Sequence, residues 1–193
     1  MRRRHPVTRS GVPLVWLMTD ERQGADLWDA VRHLPRGAGV VFRHHATPLA
    51  ERRRLFARLR RLARARGLVL VRAGPAALRG EMGRHGARGP GLVTWPVHDA
   101  REARAARRAQ ADAAFVSPLF ATRSHPGAPT LGPRRAGVLA RGLPMTRIAL
   151  GGMDARRFRA LAGFDGWAAI DAWSIRARRE DPPNSAGVAR HGG

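Results

Sequence analysis

Short apolar runs alternate with longer amphipathic stretches along most of this chain. The runs are Val12–Met18, Gly39–Phe42, Leu68–Val71, Leu92–Trp95, Ala113–Val116, Arg147–Leu150 and Trp167–Ile170. Each is short and nearly unbroken by polar residues, the pattern of a strand buried on both faces. Between the first two runs, Leu27, Trp28, Val31 and Leu34 recur at helical spacing, and Pro35 and Gly37 end that helix. Leu49–Arg66 is the strongest helix: Leu55, Leu59, Leu62 and Ala63 form one stripe, with Arg52, Arg53, Arg54, Arg58, Arg60, Arg61 and Arg64 as a solvated face around it. Gly67 is placed to cap it. Further helices are expected from Asp99 to Ala111, from Ala136 to Ala140 and from Ala155 to Ala162, with Asp99 and Asp154 as N-caps. From Arg72 to Gly91 the periodicity weakens, because Gly80, Gly83, Gly86, Gly89 and Gly91 interrupt it.

Strand followed by helix, repeated in this way, predicts parallel strands joined by helical crossovers. The fold class is α/β, with ligands at the carboxyl ends of the strands in either a closed barrel or an open doubly wound sheet. At 193 residues and 44% hydrophobic content the chain suits a single globular domain.

Charge changes the picture more than size does. Lys and Arg together number 36 against 14 acids, a formal net charge of +22, and every one of those bases is Arg. With no Lys, Tyr or Cys, Schiff-base chemistry, a tyrosine acid, a thiol nucleophile and thiolate metal sites are excluded. The lack of Cys suits a cytoplasmic location. A basic balance of this size favours phosphate-bearing partners. The charges are nevertheless spread along the chain, and aromatics make up only 6% of it, which disfavours a nucleic-acid surface built on stacking. The basic opening, MRRRHPVTRSGVPLVWLM, lacks a small-residue cleavage site and runs into Thr19-Asp20-Glu21, so it reads as a flexible arm followed by a first strand. Nor does any run approach the ~18 apolar residues of a membrane span. The adjacent pair His44 and His45 ends the second run, but neighbours in a strand face opposite ways and do not share a metal easily.

The chemistry gathers at Ser117–Pro133, SPLFATRSHPGAPTLGP, where an apolar run gives way to a loop carrying Thr122, Ser124, His125 and Gly127. Hydroxyls, an imidazole and mobile backbone at a strand end make a plausible anion-binding rim. A turn-rich surface loop has the same composition, and residue types alone leave both readings open.

With Ala113–Gly127 and Ile148–Met153 in view, the chain resembles the thiamine phosphate synthase/TenI superfamily. The first segment is similar to the family pattern "aDyv..GpvFpTpTKpG" and the second to "viAiGGi". Val97-His98 before a helix, Gly166–Trp173 and Leu14–Asp20 resemble further pieces of the family. The resemblance implies a trimmed (β/α)8 TIM barrel, single-domain, with the fourth strand and its helix degenerate. Residues 1–11 would be a flexible basic arm, 12–175 the barrel and 176–193 a polar, disordered tail.

The activity implied is the joining of a pyrimidine pyrophosphate to a thiazole phosphate with Mg2+ and release of pyrophosphate. The implied phosphate-binding residues are Arg43, Thr122, Ser124, His125, Gly151, Gly152, Ile170 and Asp171. The glycines and the following helix N-terminus would cradle a phosphate. His125 stands where the family has Lys, and Val41 and His45 replace its Gln and Lys. The family's Mg2+ carboxylates are missing: Arg72-Ala73 replaces the Asn-Asp pair, and no acid lies between Arg84 and Gly91. Pro96 and Asp171 replace two serines, and the histidine of the tautomerase branch would fall at Pro118. Two other readings remain: a catalytically inactive barrel that binds a phosphorylated ligand, and an Arg-rich nucleic-acid-binding protein. The expected partner is a phosphorylated small molecule, without a membrane; homo-oligomerisation is left open.

Overall fold

In the computed structural model, which describes residues 11–122 and 127–173, each expected apolar run forms a strand. These are β1 (Val15–Met18), β2 (Gly39–Phe42), β3 (Val69–Ala73), β5 (Leu92–Val97), β6 (Ala113–Val116), β7 (Thr146–Leu150) and β8 (Gly166–Ala169). The additional β4 (Gly83–His85) falls in the glycine-rich stretch where periodicity fails. The expected arm, apart from Gly11, the tail, and the candidates Ser124 and His125 lie outside the described residues. All eight strands pair in parallel and in chain order, and β8 returns to β1 to close a barrel. The trimmed (β/α)8 fold is therefore the one observed.

Among the described residues five helices cover the barrel: α1 (Asp26–His33), α2 (Leu49–Arg66), α3 (Ala100–Arg108), α4 (Gly132–Arg141) and α5 (Ala155–Arg159). The caps read from the sequence are present: Asp99 accepts from the Glu102 amide, Asp154 from the Arg157 amide, and Gly67 ends α2 at φ 62°. Residues 74–82 and 86–91 contain no helix, so the trimming removes the crossover on each side of β4. Helix α5 stops at Arg159, short of the expected Ala162.

Side chains alternate between two cores. Trp16, Met18, Val41, Val71, Ala73, Ala113, Phe115, Ile148 and Ala168 fill the barrel. Leu17, Val40, Phe42 and Leu70 face outward against α1 and α2, burying Phe56, Leu59 and Ala63 of α2. Each fully buried Leu or Phe contributes about 1.5–3 kcal/mol by leaving water. Trp16 plugs the barrel, its ring edge-on to Phe115 with centroids 5.2 Å apart. It can do so because position 39 is glycine: a Cβ there would lie 2.1 Å from the indole.

Where the crossovers are missing, an ion-pair knot and one leucine take their place. Alternation turns Arg72 outward, since Val71 and Ala73 belong to the inner core. Its Nε donates to Glu81, which also accepts from Arg84 and from the Leu78 amide, while Leu78 itself is buried in the outer core. Arg52 departs from the solvated face expected of α2. It is buried because the carbonyls at the ends of β2 and β3 need donors, and its Nη2 bonds the carbonyls of Ala73 and Arg43.

Candidate functional site

A cavity of about 1040 Å³ opens at the carboxyl ends of the strands. Among the residues lining it are Arg43, Thr122, Gly151, Gly152, Ile170 and Asp171, so the structure brings together all six described candidates. The parallel barrel explains the convergence, because every strand ends at the same face.

Arg43 follows β2 directly and is held on two sides. Its amide donates to Thr19 Oγ1, its Nε to the Thr19 carbonyl, and its Nη2 lies 3.1 Å from Asp20. Burial lowers its pKa, against the opposing pull of Asp20 and Glu21. Asp20 also caps the short 3-10 turn Glu21–Gln23, and Gln23 Nε2 donates to the Ile170 carbonyl across the β1–β8 seam. The guanidinium is thus part of a braced rim and not a free side chain.

On the opposite side, the segment after β6 is stitched to the segment after β7. The Leu119 amide donates to the Leu150 carbonyl at 2.9 Å and the Phe120 amide to the Gly151 carbonyl at 3.1 Å. The two glycines permit this approach: at φ 99° and 60°, a Cβ on Gly151 would meet Pro118 Cα at 2.8 Å, and one on Gly152 the Ala121 carbonyl at 2.6 Å. Packing alone therefore demands the glycine pair, which also sits where the cavity is lined. The helix that follows is only five residues long, and its Arg157 amide is taken by Asp154.

Residues that sequence reasoning did not count among the phosphate ligands complete the site. Arg157 lies over the Phe120 ring at 5.0 Å and donates to the Gly152 carbonyl, and with Arg156 it lines the cavity beside the glycines. His45, His85 and His98 line it from the other side. Burial lowers the pKa of His45, reinforced by Arg52 and Arg43. His85 is pushed down to about 3, mainly by burial and further by Arg43, His45 and His98. These two imidazoles are neutral near pH 7, so fixed positive charge at the mouth comes from arginine. His44 turns away from His45: it stacks on Phe42 with centroids 4.6 Å apart and meets Thr19 Oγ1 at 2.9 Å. The two histidines do not form a metal pair.

The residues present do not fit Mg2+. At the β3 end, Arg72 is bound to Glu81 on the outer face and Arg52 places a guanidinium on the Ala73 carbonyl. The carboxylates lining the cavity, Asp154 and Asp171, follow β7 and β8. Among the described residues no group of three or more His, Cys, Asp or Glu is arranged to hold a metal. What the mouth offers is guanidinium charge at its rim, neutral imidazoles, and an apolar floor that includes Met18, Phe115 and Leu150.

Residues 84–173, which supply most of this lining, match the family model for thiamine monophosphate synthase. Over those residues the chain resembles the thiamine phosphate synthase/TenI superfamily. A solved thiamine phosphate pyrophosphorylase from Pyrococcus furiosus has the same fold, with a TM-score of 0.69 at 20% identity over 82% of this chain and 85% of that one. A citrate synthase, SbnG, shares the barrel with a TM-score of 0.54 at 13% identity over 89% of this chain and 91% of that one. No curated protein sequence matches the chain. Against the pattern of that superfamily the chain diverges at the β3 end, where Arg72-Ala73 stands at the positions for which the resemblance implies two metal ligands. Among the described residues, no helix is long and apolar enough to cross a membrane.

Proposed function

We propose that this is a thiamine phosphate synthase-like protein of thiamine biosynthesis, whose cavity receives a phosphorylated heterocycle. The observation that carries the reading is the convergence of Arg43, Thr122, Gly151 and Gly152 on one cavity within a chain whose residues 84–173 match the family. If it is a transferase, its chemistry is positioning together with electrostatic stabilisation of departing pyrophosphate. Arg43 supplies that charge on the β2 side, and Arg156 and Arg157 on the β7 side. Arg suits the task because its planar fork meets two phosphate oxygens at once.

The second reading is a barrel that binds such a ligand without turning it over. It is favoured by the Arg72–Glu81 pair and the guanidinium of Arg52, which occupy the side where the family's metal carboxylates are implied. One experiment separates the two. Product formation is measured from the pyrimidine pyrophosphate and thiazole phosphate together, with Mg2+ and with chelator, beside a thermal shift for each ligand alone. Turnover supports the transferase. Stabilisation without turnover supports the binding protein, and the absence of both removes the whole proposal.

A further inference from the structure

Arginines that are spread along the sequence are gathered by the fold on the outer face of α1 and α2. These helices run side by side in the same direction, each leading from the carboxyl end of one strand to the amino end of the next, and their far ends are tied where Arg66 Nη2 donates to the Leu34 carbonyl at 2.9 Å. The acids of the two helices, Asp26, Asp29 and Glu51, sit in the first turns. Beyond those turns the exposed charge has one sign. At 3.6 residues per turn, Arg54, Arg61 and Arg64 fall opposite the buried stripe of Phe56, Leu59 and Ala63, and all three are exposed. Arg58 leans toward α1, over the Trp28 ring at 4.0 Å, and the exposed Arg32 and Arg36 extend the row on that side.

The row holds no counter-charge of its own. The ion pairs among the described residues are built on Asp20, Asp29, Glu81, Glu102, Asp154 and Asp165, and none includes any of these six arginines. Like charges one turn apart on a helix repel, and this face lacks the interspersed acids that relieve such repulsion. Only the small Ala57 and Ala65 stand among the α2 arginines, so nothing bulky holds an anion away. We propose that this face binds the phosphate backbone of a nucleic acid without reading its sequence. From Arg54 to Arg64 the guanidiniums cover about 15 Å of helix axis, which suits a polymer of repeating charge better than a small anion, and each fork can meet two phosphate oxygens. A bilayer is less well served, because Phe56 and Leu59, the apolar side chains that would enter it, are buried against the barrel. Trp28 is half-buried beneath Arg58, so the contacts are to phosphate and not to stacked bases. None of the six arginines lines the cavity, and the proposal stands apart from the ligand of the barrel mouth.

The test is binding of the full chain to a fluorescent DNA duplex of about 20 base pairs across salt concentrations, read as anisotropy, where six phosphate contacts give a slope of log K against log salt of about −5. Replacing three of them together, Arg54→Gln, Arg61→Gln and Arg64→Gln, should flatten the slope to about −3. Gln is a good helix former, so the circular dichroism should not change; if the triple variant unfolds, Arg61→Gln alone should flatten the slope by about 0.9. The control removes the same charge from another exposed face: Arg101→Gln, Arg104→Gln and Arg108→Gln on α3 should leave the slope near its original value of about −5. A duplex of unrelated sequence should bind equally. An equal flattening in both triple variants would mean that net charge alone attracts the duplex and would overturn the proposal. So would an unchanged slope in the α2 variants, a strong preference between sequences, no binding at ~50 mM salt, or tighter binding to phosphatidylserine vesicles than to the duplex.

Discussion

Arg72 and Glu81 form an ion pair, Nε to Oε2 2.5 Å, with the two side chains only 5% and 14% exposed. It lies on the outside of the barrel, where a crossover helix is missing. Breaking a buried pair by removing one partner leaves the other charge uncompensated and costs about 3–5 kcal/mol. Glu81→Gln should therefore lower stability by an amount in that range, read as a fall in urea midpoint at unchanged slope. A loss below ~1 kcal/mol would mean that the knot is ornamental.

The same carboxylate makes stability depend on pH. Burial alone would raise the pKa of Glu81, but the Leu78 amide and the guanidiniums of Arg72 and Arg84 outweigh it and the net shift is downward. A depressed carboxylate pKa stabilises the fold above the unfolded-state value, and that contribution is lost as pH falls through the folded-state value. The melting temperature of the wild type should accordingly drop below the ordinary carboxylate range. Glu81→Gln should show a shallower drop over the same interval.

Arg43→Ala should weaken binding of pyrophosphate by about 1.5–3 kcal/mol, as for a hydrogen bond to a charged group. Unlike a free rim residue, Arg43 also braces Thr19 and Asp20, so the variant should lose stability as well. Arg58→Ala is the control: Arg58 stacks over Trp28 at 4.0 Å on the outside, and its loss should cost about 0.5–1 kcal/mol of stability with no change in affinity. Calorimetric titration of both variants decides this, and equal affinities would remove Arg43 from the site.

Because no described residues fit a divalent cation, stabilisation by pyrophosphate should be the same in chelator as in Mg2+. Differential scanning fluorimetry at fixed ionic strength measures it. A stabilisation seen only with Mg2+ would show a metal site that arginine does not replace.

Gly39→Ala should disrupt the barrel floor, since its Cβ would lie 2.1 Å from the Trp16 ring. Overpacking of a filled core costs about 1–3 kcal/mol. Tryptophan emission should report the displaced indole together with the loss of stability.

The strands were legible in the sequence wherever both faces are buried, because Gly39–Phe42 and Ala113–Val116 then read as unbroken apolar runs. β4 gave no such signal. Its three residues put a glycine and a histidine inward and an arginine outward, and it is recognisable only from its register with β3 and β5. The same limit applied to the site. Arg43 and the Gly151-Gly152 pair were marked by motifs, whereas Arg157 is one cation among many until Phe120 and Gly152 fix its place. The contact between His85 and Thr94 is likewise invisible until β5 sets Thr94 beside β4. Arg52 misled for a related reason: on a helical wheel it belongs to the polar face, and only the strand ends beneath it explain its burial.

β4 is three residues long, lacks a crossover helix on either side, and carries one of the groups that would touch a ligand. Its backbone hydrogen bonds are thus guarded by charge pairing and two neighbouring strands, while those of β2 and β3 lie beneath packed helices. Amide exchange should be fastest here among the eight strands, through local openings well below the global unfolding free energy. Raising salt should quicken exchange at β4 before it affects the rest of the barrel, because Arg84–Glu81 is a partly exposed pair. A ligand bound to His85 would slow it, so the segment that holds the barrel least firmly is also the one whose protection reports occupancy.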